Sequence, residues 1–438
     1  MRKPAMKRGV HPPENKGTSR EPIKYILPKK GDMMIYPMSQ HIGVPCEPLV
    51  KVGDSVLLGE KIGDSEKMVS SPIYATVSGV VTDIKPCLTP SGRFSQSVFI
   101  ENDGELNETP SINSPVNYRK MNREDILGRI REAGVVGLGG AGFPTHVKLN
   151  PPSGKIIDTI LVNAAECEPY LTNDHRVILE EASRVLLGLD VILHLFPYTR
   201  AIIAIEDNKP DAIAKLKEIN KSPRVSVVGM KTMYPQGAEK QLIQTCLGRE
   251  VPSGGFPMDA GCIVQNVDTI IAIHRAFFRG RPLMRKVLTI AGGAVKNPGN
   301  YKARLGMTYA ALIEAIGGLK GEPYKLVQGG PMMGVAHYTL DVPIVKTSSS
   351  LLLLTHEEAM IEKERDCFRC SKCVESCPMN LLPLNLNQYA IRSEVEKFMK
   401  NNGMDCMECG CCTYICPAKR HLSQSISFIR REILATKL

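Results

Sequence analysis

Eight of the fourteen cysteines fall into two copies of one spacing near the C-terminus. The first copy is Cys367, Cys370, Cys373 and Cys377, followed by Pro378. The second is Cys406, Cys409, Cys412 and Cys416, followed by Pro417. Each reads C-x2-C-x2-C-x3-C-P, the run that holds paired [4Fe–4S] clusters. Three thiolates on one tight loop can bind three corners of a cubane, and the fourth cysteine, leaving on a helix, points at the other cluster. The expected ligand sets are Cys367, Cys370, Cys373 and Cys416 for one cluster, and Cys406, Cys409, Cys412 and Cys377 for the other. Zinc and disulfides are the alternatives, but zinc sites seldom use four cysteines in this rhythm with a proline after the last. Chemistry of this kind moves electrons singly.

A second candidate lies upstream, in Gly137-Leu-Gly139-Gly140-Ala-Gly142-Phe143-Pro144. Glycines let the backbone approach a ligand closely and aim N–H groups at phosphate. Alone, the loop matches the dinucleotide fingerprint weakly, because that motif wants a strand before it and a helix after it. Here helical spacing precedes the loop and a proline follows. Three further polar segments come after it: 163–169 with Asn163, Glu166 and Glu168, 234–240 with Tyr234, Gly237 and Glu239, and 266–269 with Asn266 and Thr269.

By length alone, 438 residues predict about three domains, each able to bury its own core. A hydrophobic fraction of 43% with 23% charged residues excludes a disordered or fibrous chain. The remaining cysteines (46, 87, 167, 246, 262 and 411) are scattered, which suits a reducing cytosol better than a disulfide framework. Cys411, between two ligands, reads as a bystander. No apolar run reaches the ~18 residues of a membrane span; the best candidate, 185–196, contains Asp190 and His194. The basic, proline-rich start lacks the apolar core of a signal peptide. The net charge of +10 suits acidic partners. No recognition helix, zinc finger or aromatic RNA-binding motif accompanies it, so nucleic acid is not expected.

Four domains are expected to position these groups, and together they predict a multidomain α/β protein. Residues 1–117 hold an N-terminal segment and short valine-rich strands broken by glycine turns, the pattern of a small β barrel-sandwich. This part is similar to lipoyl and biotinyl carrier domains, with Lys67 near the position of their modified lysine; a bare structural barrel with unmodified Lys67 is expected. Residues 118–283 alternate helix and strand: a helix over 122–133 capped by Asn122, strands over 156–163 and 200–206, helices over 173–195 and 209–220. That alternation indicates a Rossmann-like α/β sheet. Residues 284–350 are β-rich with one helix at 309–316, and 351–438 are helical and carry the cysteine runs. The tail 424–438 is basic and amphipathic; packing against the cluster domain is expected ahead of docking on a membrane.

The four polar segments, in this order, resemble the FMN- and NADH-binding subunit of respiratory complex I. The resemblance implies a flavin loop of Gly137, Gly139, Gly140 and Gly142, with Lys148 reaching the flavin or its phosphate. It implies that Asn163 and Asn266 hydrogen-bond non-covalent FMN and that Thr269 lies near it. Phe143 would stack on NAD(H), while Glu166, Glu168 and Glu239, with Tyr234 and Gly237, would surround the stacked rings. Ala165 and Ala238 stand where that family has acidic residues. The tandem cysteine runs, the early H-P-P-E-N-K segment (11–16) and G-G-P-M-M-G (329–334) resemble instead the RnfC component of the Rnf electron-transport complex, over nearly the whole chain.

That resemblance implies a soluble-ligand-binding β-grasp domain at 284–350 and a helical ferredoxin domain after it. It also implies FMN, NAD(H) and two [4Fe–4S] clusters as cofactors, with no nucleophile or general acid of the protein's own. Other Rnf-type membrane subunits and an iron–sulfur, ferredoxin-like subunit are the implied partners, on the cytoplasmic face of the cell membrane. The reaction would be ferredoxin:NAD+ oxidoreduction coupled to Na+ or H+ transport. Two alternatives stand beside it: a soluble flavin/iron–sulfur reductase similar to microcompartment cobalamin reductase, and an electron wire without flavin.

Overall fold

The computed structural model describes residues 4–436. Lys437, part of the basic tail, lies outside the described residues. Four parallel strands form the central sheet: Thr159–Ala164, Arg200–Glu206, Val225–Met230 and Cys262–Asn266. The first strand in chain order lies in the middle, with the second and third to one side and the fourth to the other. Winding therefore reverses between Thr159–Ala164 and Cys262–Asn266, and ligand crevices form at such a reversal beyond the carboxyl ends of the strands. Ile160, Leu161 and Val162 are fully buried, as expected of a parallel strand covered on both faces. This strand starts later than the 156 expected, because Ile156 is exposed on the approach to the sheet. Helices Asn173–Leu195 and Val267–Phe278 pack together on one face. The helix Arg123–Glu132 is capped as expected, the Asn122 side chain accepting the Asp125 N–H at 2.8 Å.

A six-stranded mixed sheet follows in the chain, in the order Lys24–Tyr25, Gly299–Arg304, Arg285–Ala291, Ser350–Leu354, Lys325–Gln328 and Val335–His337. Two of its strands come from outside 284–350. Lys24–Tyr25 pairs in parallel with Gly299–Arg304. Ser350–Leu354, buried throughout, lies between two partners. An apolar run of four leucines is too short to reveal from sequence whether it ends one domain or begins the next.

The N-terminal domain is built from two small antiparallel sheets, with Met34, Tyr36, Ile62, Val98 and Ile100 in its core. Lys67 sits exposed between strands Lys61–Asp64 and Ile73–Tyr74. That loop is fastened to the α/β domain. Arg131 donates to the Ser65 carbonyl at 2.8 Å, and His146 Nε2 lies 3.1 Å from the Met68 carbonyl.

The C-terminal domain repeats its backbone as well as its cysteines. Left-handed residues recur at matching positions: Arg369 (φ 58°) and Glu408 (57°), Ser371 (62°) and Gly410 (78°), Asn380 (56°) and Lys419 (54°). One-turn helices Lys372–Glu375 and Cys411–Tyr414 follow the second of these pairs. Longer helices Pro383–Ile391 and Leu422–Thr436 close each copy and pack together. The C-terminal helix buries Ile426, Ile429 and Ile433 in a core shared with Leu386 and Phe398, so it packs back on its own domain.

Candidate functional site

A cleft of about 1040 Å³ opens at the reversal of the central sheet. Thirteen of the fourteen candidate ligand-binding residues line it; Thr269 does not. Thr269 is fully buried behind the glycine loop, its Oγ1 accepting the Leu138 N–H at 2.9 Å and so fixing where the loop begins. The Gly137 N–H donates to the Phe143 carbonyl at 2.9 Å and closes the loop, leaving Gly139 and Gly140 exposed to the cleft. A Cβ at Gly139 would sit 2.7 Å from Asn266 Nδ2, whereas one at Gly140 meets no protein atom within 4 Å. The exposed backbone at Gly140 is therefore free for a ligand.

Asn163 and Asn266 end the two strands that flank the reversal. Asn163 Nδ2 donates to the Gly237 carbonyl at 2.8 Å. Asn266 caps Val267–Phe278 through the Asp268 N–H at 2.9 Å and donates to Asp174 Oδ2 at 2.6 Å. Lys148 pairs with Glu239 at 2.8 Å across the cleft.

The two glutamates of the 163–169 segment are engaged by backbone. Glu166, in the left-handed region at φ 51°, accepts the Asp174 and His175 N–H groups at the start of Asn173–Leu195. Glu168 accepts the Met332 and Met333 N–H groups at 3.1 and 2.9 Å, tying in the loop 329–334. Burial raises its carboxyl to about 7.

Two residues beyond those anticipated shape the site. Asp174 lines the cleft and is buried; burial, then the neighbouring Glu166, raises its carboxyl to about 7 while Lys286 opposes the shift. Lys16, in the H-P-P-E-N-K segment, donates to the Glu166, Glu168 and Leu171 carbonyls at 2.7, 2.8 and 2.7 Å. An ammonium carries three donors, and here all three hold one loop. The Lys16 motif was visible in sequence, but its target lies some 150 positions away.

The same cleft reaches Cys406 and Met407 of the second cysteine run, and Arg430. Several contacts dock the two cysteine runs on the α/β domain. The Tyr234 hydroxyl donates to the Cys409 carbonyl at 2.7 Å, Gln241 to the Pro378 carbonyl at 3.0 Å, and Ser253 to the Asp405 carboxylate at 2.7 and 2.8 Å. Gly410 packs close to Met332; a Cβ there would lie 2.9 Å from its carbonyl oxygen. Cys411 is buried against Tyr234 and Val10, away from solvent.

Cys377, Cys406, Cys409 and Cys412 line one small, largely apolar cavity, with Cys411 beside them. Burial raises the Cys412 thiol, and Cys409, Cys406 and Cys377 raise it further. Cys373 is likewise raised by burial first, then by Cys416 and Cys370. The groupings are those that put the fourth cysteine of each run with the other run's first three. All fourteen cysteines are free thiols, against the disulfide alternative. In both copies a backbone N–H lies 3.4 Å from the first sulfur, Arg369 to Cys367 and Glu408 to Cys406. Such N–H groups favour a thiolate bound to iron. The donor set thus fits two cubanes, and the open glycine backbone with its flanking amides fits a flavin nucleotide.

Comparison with known proteins agrees with this geometry. Family profiles match at 4–105 (RnfC barrel sandwich hybrid domain), 130–275 (Nuo51 FMN-binding domain), 287–336 (SLBB domain) and 366–419 (4Fe–4S dicluster domain). The C component of the Na(+)-translocating ferredoxin:NAD(+) oxidoreductase complex of Acetobacterium woodii is 45% identical, over 98% of this chain and 97% of that protein. Its proton-translocating counterpart in Clostridium ljungdahlii is 45% identical, over 97% of this chain and 93% of that protein. The chain belongs to the RnfC family. The C component of the ion-translocating oxidoreductase complex of Yersinia pestis is 39% identical over 91% of this chain, which spans 64% of that longer relative. The solved NAD+-reducing [NiFe]-hydrogenase shares the fold alone, at TM-score 0.50 and 17% identity over 74% of this chain and 63% of that one. The near-full-length match to RnfC proteins decides against the cobalamin-reductase reading. This RnfC protein carries the barrel-sandwich, flavin, SLBB and dicluster domains in the order anticipated from sequence.

Proposed function

We propose that this chain is the NAD(H)-reactive arm of a ferredoxin:NAD+ oxidoreductase complex. It is an electron-transfer subunit of the Rnf type, with FMN and two [4Fe–4S] clusters as its cofactors. Bound FMN supplies the exchange between the electron pair of NAD(H) and the single electrons that clusters carry. The residues of the chain bind and orient. The glycine backbone at Gly139 and Gly140 cradles the flavin nucleotide, Asn163 and Asn266 face its ring, and Lys148 lies within the cleft to meet its phosphate. Phe143 and Glu239 border the space left for the nicotinamide nucleotide. The observation that carries this reading is the single cleft running from the glycine loop to Cys406.

The second-run cluster is then nearest the flavin. The first-run cysteines Cys367 and Cys370 are exposed and suit exchange with an iron–sulfur partner protein. No helix among the described residues is long and apolar enough to cross a membrane, so contact with the cytoplasmic face would be made through the membrane subunits of the complex.

Protein purified without oxygen and supplied with FMN should retain the flavin, bleach its absorbance on addition of NADH, and then lose cluster absorbance. Failure to retain or reduce flavin would leave the electron-wire alternative in its place. Cross-linking through a photoreactive side chain placed at Phe368, which is 65% exposed, should capture an iron–sulfur subunit of the complex.

A further inference from the structure

The far end of helix Val267–Phe278 carries a feature the electron route does not use. A cavity of about 220 Å³ opens there, between the helices of the α/β domain, the strand Lys24–Tyr25 and the first strand of the SLBB sheet. Six cationic side chains line it: Arg184, Arg275, Arg279, Arg281, Arg285 and Lys302. Two carboxylates answer them. Glu181 is shared by Arg184, Arg275 and Lys302 at 3.0, 3.3 and 2.5 Å, and Glu108 takes Arg281 at 2.6 Å. Among the described residues, Arg279 and Arg285 have no carboxylate within ion-pair distance.

Buried polar atoms here lack partners. His274 lines the cavity, is 4% exposed, and its Nδ1 has no hydrogen-bond partner. Behind the lining, Arg304 is paired across the sheet with Arg285 and is 5% exposed, with Nε and Nη1 buried and unpartnered; it adds positive charge beside the cavity without lining it. Burial lowers the Arg304 guanidinium to about 10, with Arg285 adding to the shift. Buried polar groups are ordinarily satisfied, and a cluster of like charges is stable only when an anion offsets it. Guanidinium forks match the oxygens of a phosphoryl group in pairs. The volume accepts one or two such groups, with anything larger left outside.

We propose that this cavity binds a phosphate-bearing anion, held by Arg279, Arg285 and their neighbours. The source is either a free phosphorylated small molecule or the headgroup of an anionic phospholipid. Along Val267–Phe278 the cavity lining runs from Ala272 to Arg279, about 9 to 20 Å from Asn266 at a rise of ~1.5 Å per residue, and it shares no lining residue with the flavin cleft. It is therefore distinct from the flavin cleft.

The test uses the complete chain loaded with FMN and clusters. Inorganic pyrophosphate is titrated calorimetrically, and vesicles of phosphatidylcholine with or without phosphatidylglycerol are co-sedimented. Saturable pyrophosphate binding is expected, weakened roughly tenfold or more by Arg285→Gln, as for loss of a charge-assisted bond. Arg279→Gln, at the exposed rim, should weaken it too, and it serves alone if Arg285→Gln fails to fold. Flavin content and reduction by NADH should not change in either variant. Binding only to phosphatidylglycerol vesicles, lost in the variants, assigns the site to a lipid headgroup. Absence of binding to both probes, or binding that neither variant weakens, overturns the proposal.

Discussion

Asn163 and Asn266 stand opposite each other, in register, at the carboxyl ends of two adjacent parallel strands. Their amides work in different directions. Asn163 reaches the Gly237 carbonyl, whereas Asn266 reaches Asp174 and caps a helix. Three segments far apart in sequence are thereby drawn to the point where the winding of the sheet reverses. The fourth, the glycine loop, rests against Asn266 so closely that Gly139 has no room for a Cβ.

Gly139 and Gly140 should respond differently to substitution. Gly139→Ala drives a methyl group against Asn266 and should lower thermal stability as well as flavin retention. At Gly140 a Cβ meets no protein atom within 4 Å, so in Gly140→Val the fold, stability and iron content should hold while FMN retention is lost. Flavin fluorescence released on denaturation, read beside melting temperature, separates the two. Full FMN retention in Gly140→Val would remove that backbone from the flavin cradle.

Cys377→Ala should damage the cluster held by Cys406, Cys409 and Cys412 and leave the other largely intact, because Cys377 lines the cavity of the second run. Electron paramagnetic resonance of the reduced variant identifies the missing signal. Selective loss of the cluster held by Cys367, Cys370 and Cys373 would refute the crossed arrangement.

Asp174→Asn should raise the flavin midpoint potential, most strongly at alkaline pH. The carboxyl of Asp174 is raised from 3.8 to about 7, so it is neutral at pH 6 and negative at pH 8. A negative charge beside the flavin disfavours its reduction, and wild type and variant should converge below pH 7. The same shift makes native stability fall as pH rises from about 4 through 7, since the unfolded carboxyl ionises first. The variant should flatten that slope. Parallel potential–pH lines for the two proteins would place Asp174 too far from the flavin to matter.

Lys67 should be unmodified. A carrier lysine must swing between sites, but this loop is held by Arg131 at Ser65 and by His146 at Met68. Intact mass of native protein should show neither biotin nor lipoate; a mass increment at Lys67 would overturn the structural role of this domain.

The cysteine runs were legible because a cubane is bound by residues close together in the chain, so spacing alone carries the geometry. The β–α alternation of 156–220 was legible for a similar reason: buried parallel strands are short apolar runs, and Asn122 beside a helix start is a local signal. Strands Val225–Met230 and Cys262–Asn266, and the helix Val267–Phe278 capped by Asn266, were not anticipated. Tertiary structure decided what depends on approach from a distance. Ser350–Leu354 became a central strand only because Arg285–Ala291 and Lys325–Gln328 flank it. Asp174 reads as an ordinary first-turn helix residue, yet burial beside Glu166 gives it a carboxyl that titrates near neutrality. Lys16 is one basic residue among many in the N-terminal segment until the chain folds back over Glu166 and Glu168. The arginines at 184, 275, 279, 281 and 285 sit on several elements, and no sequence period links them. Hydrogen bonds and charges act through space, so a sequence displays them only where the chain brings its own neighbours together.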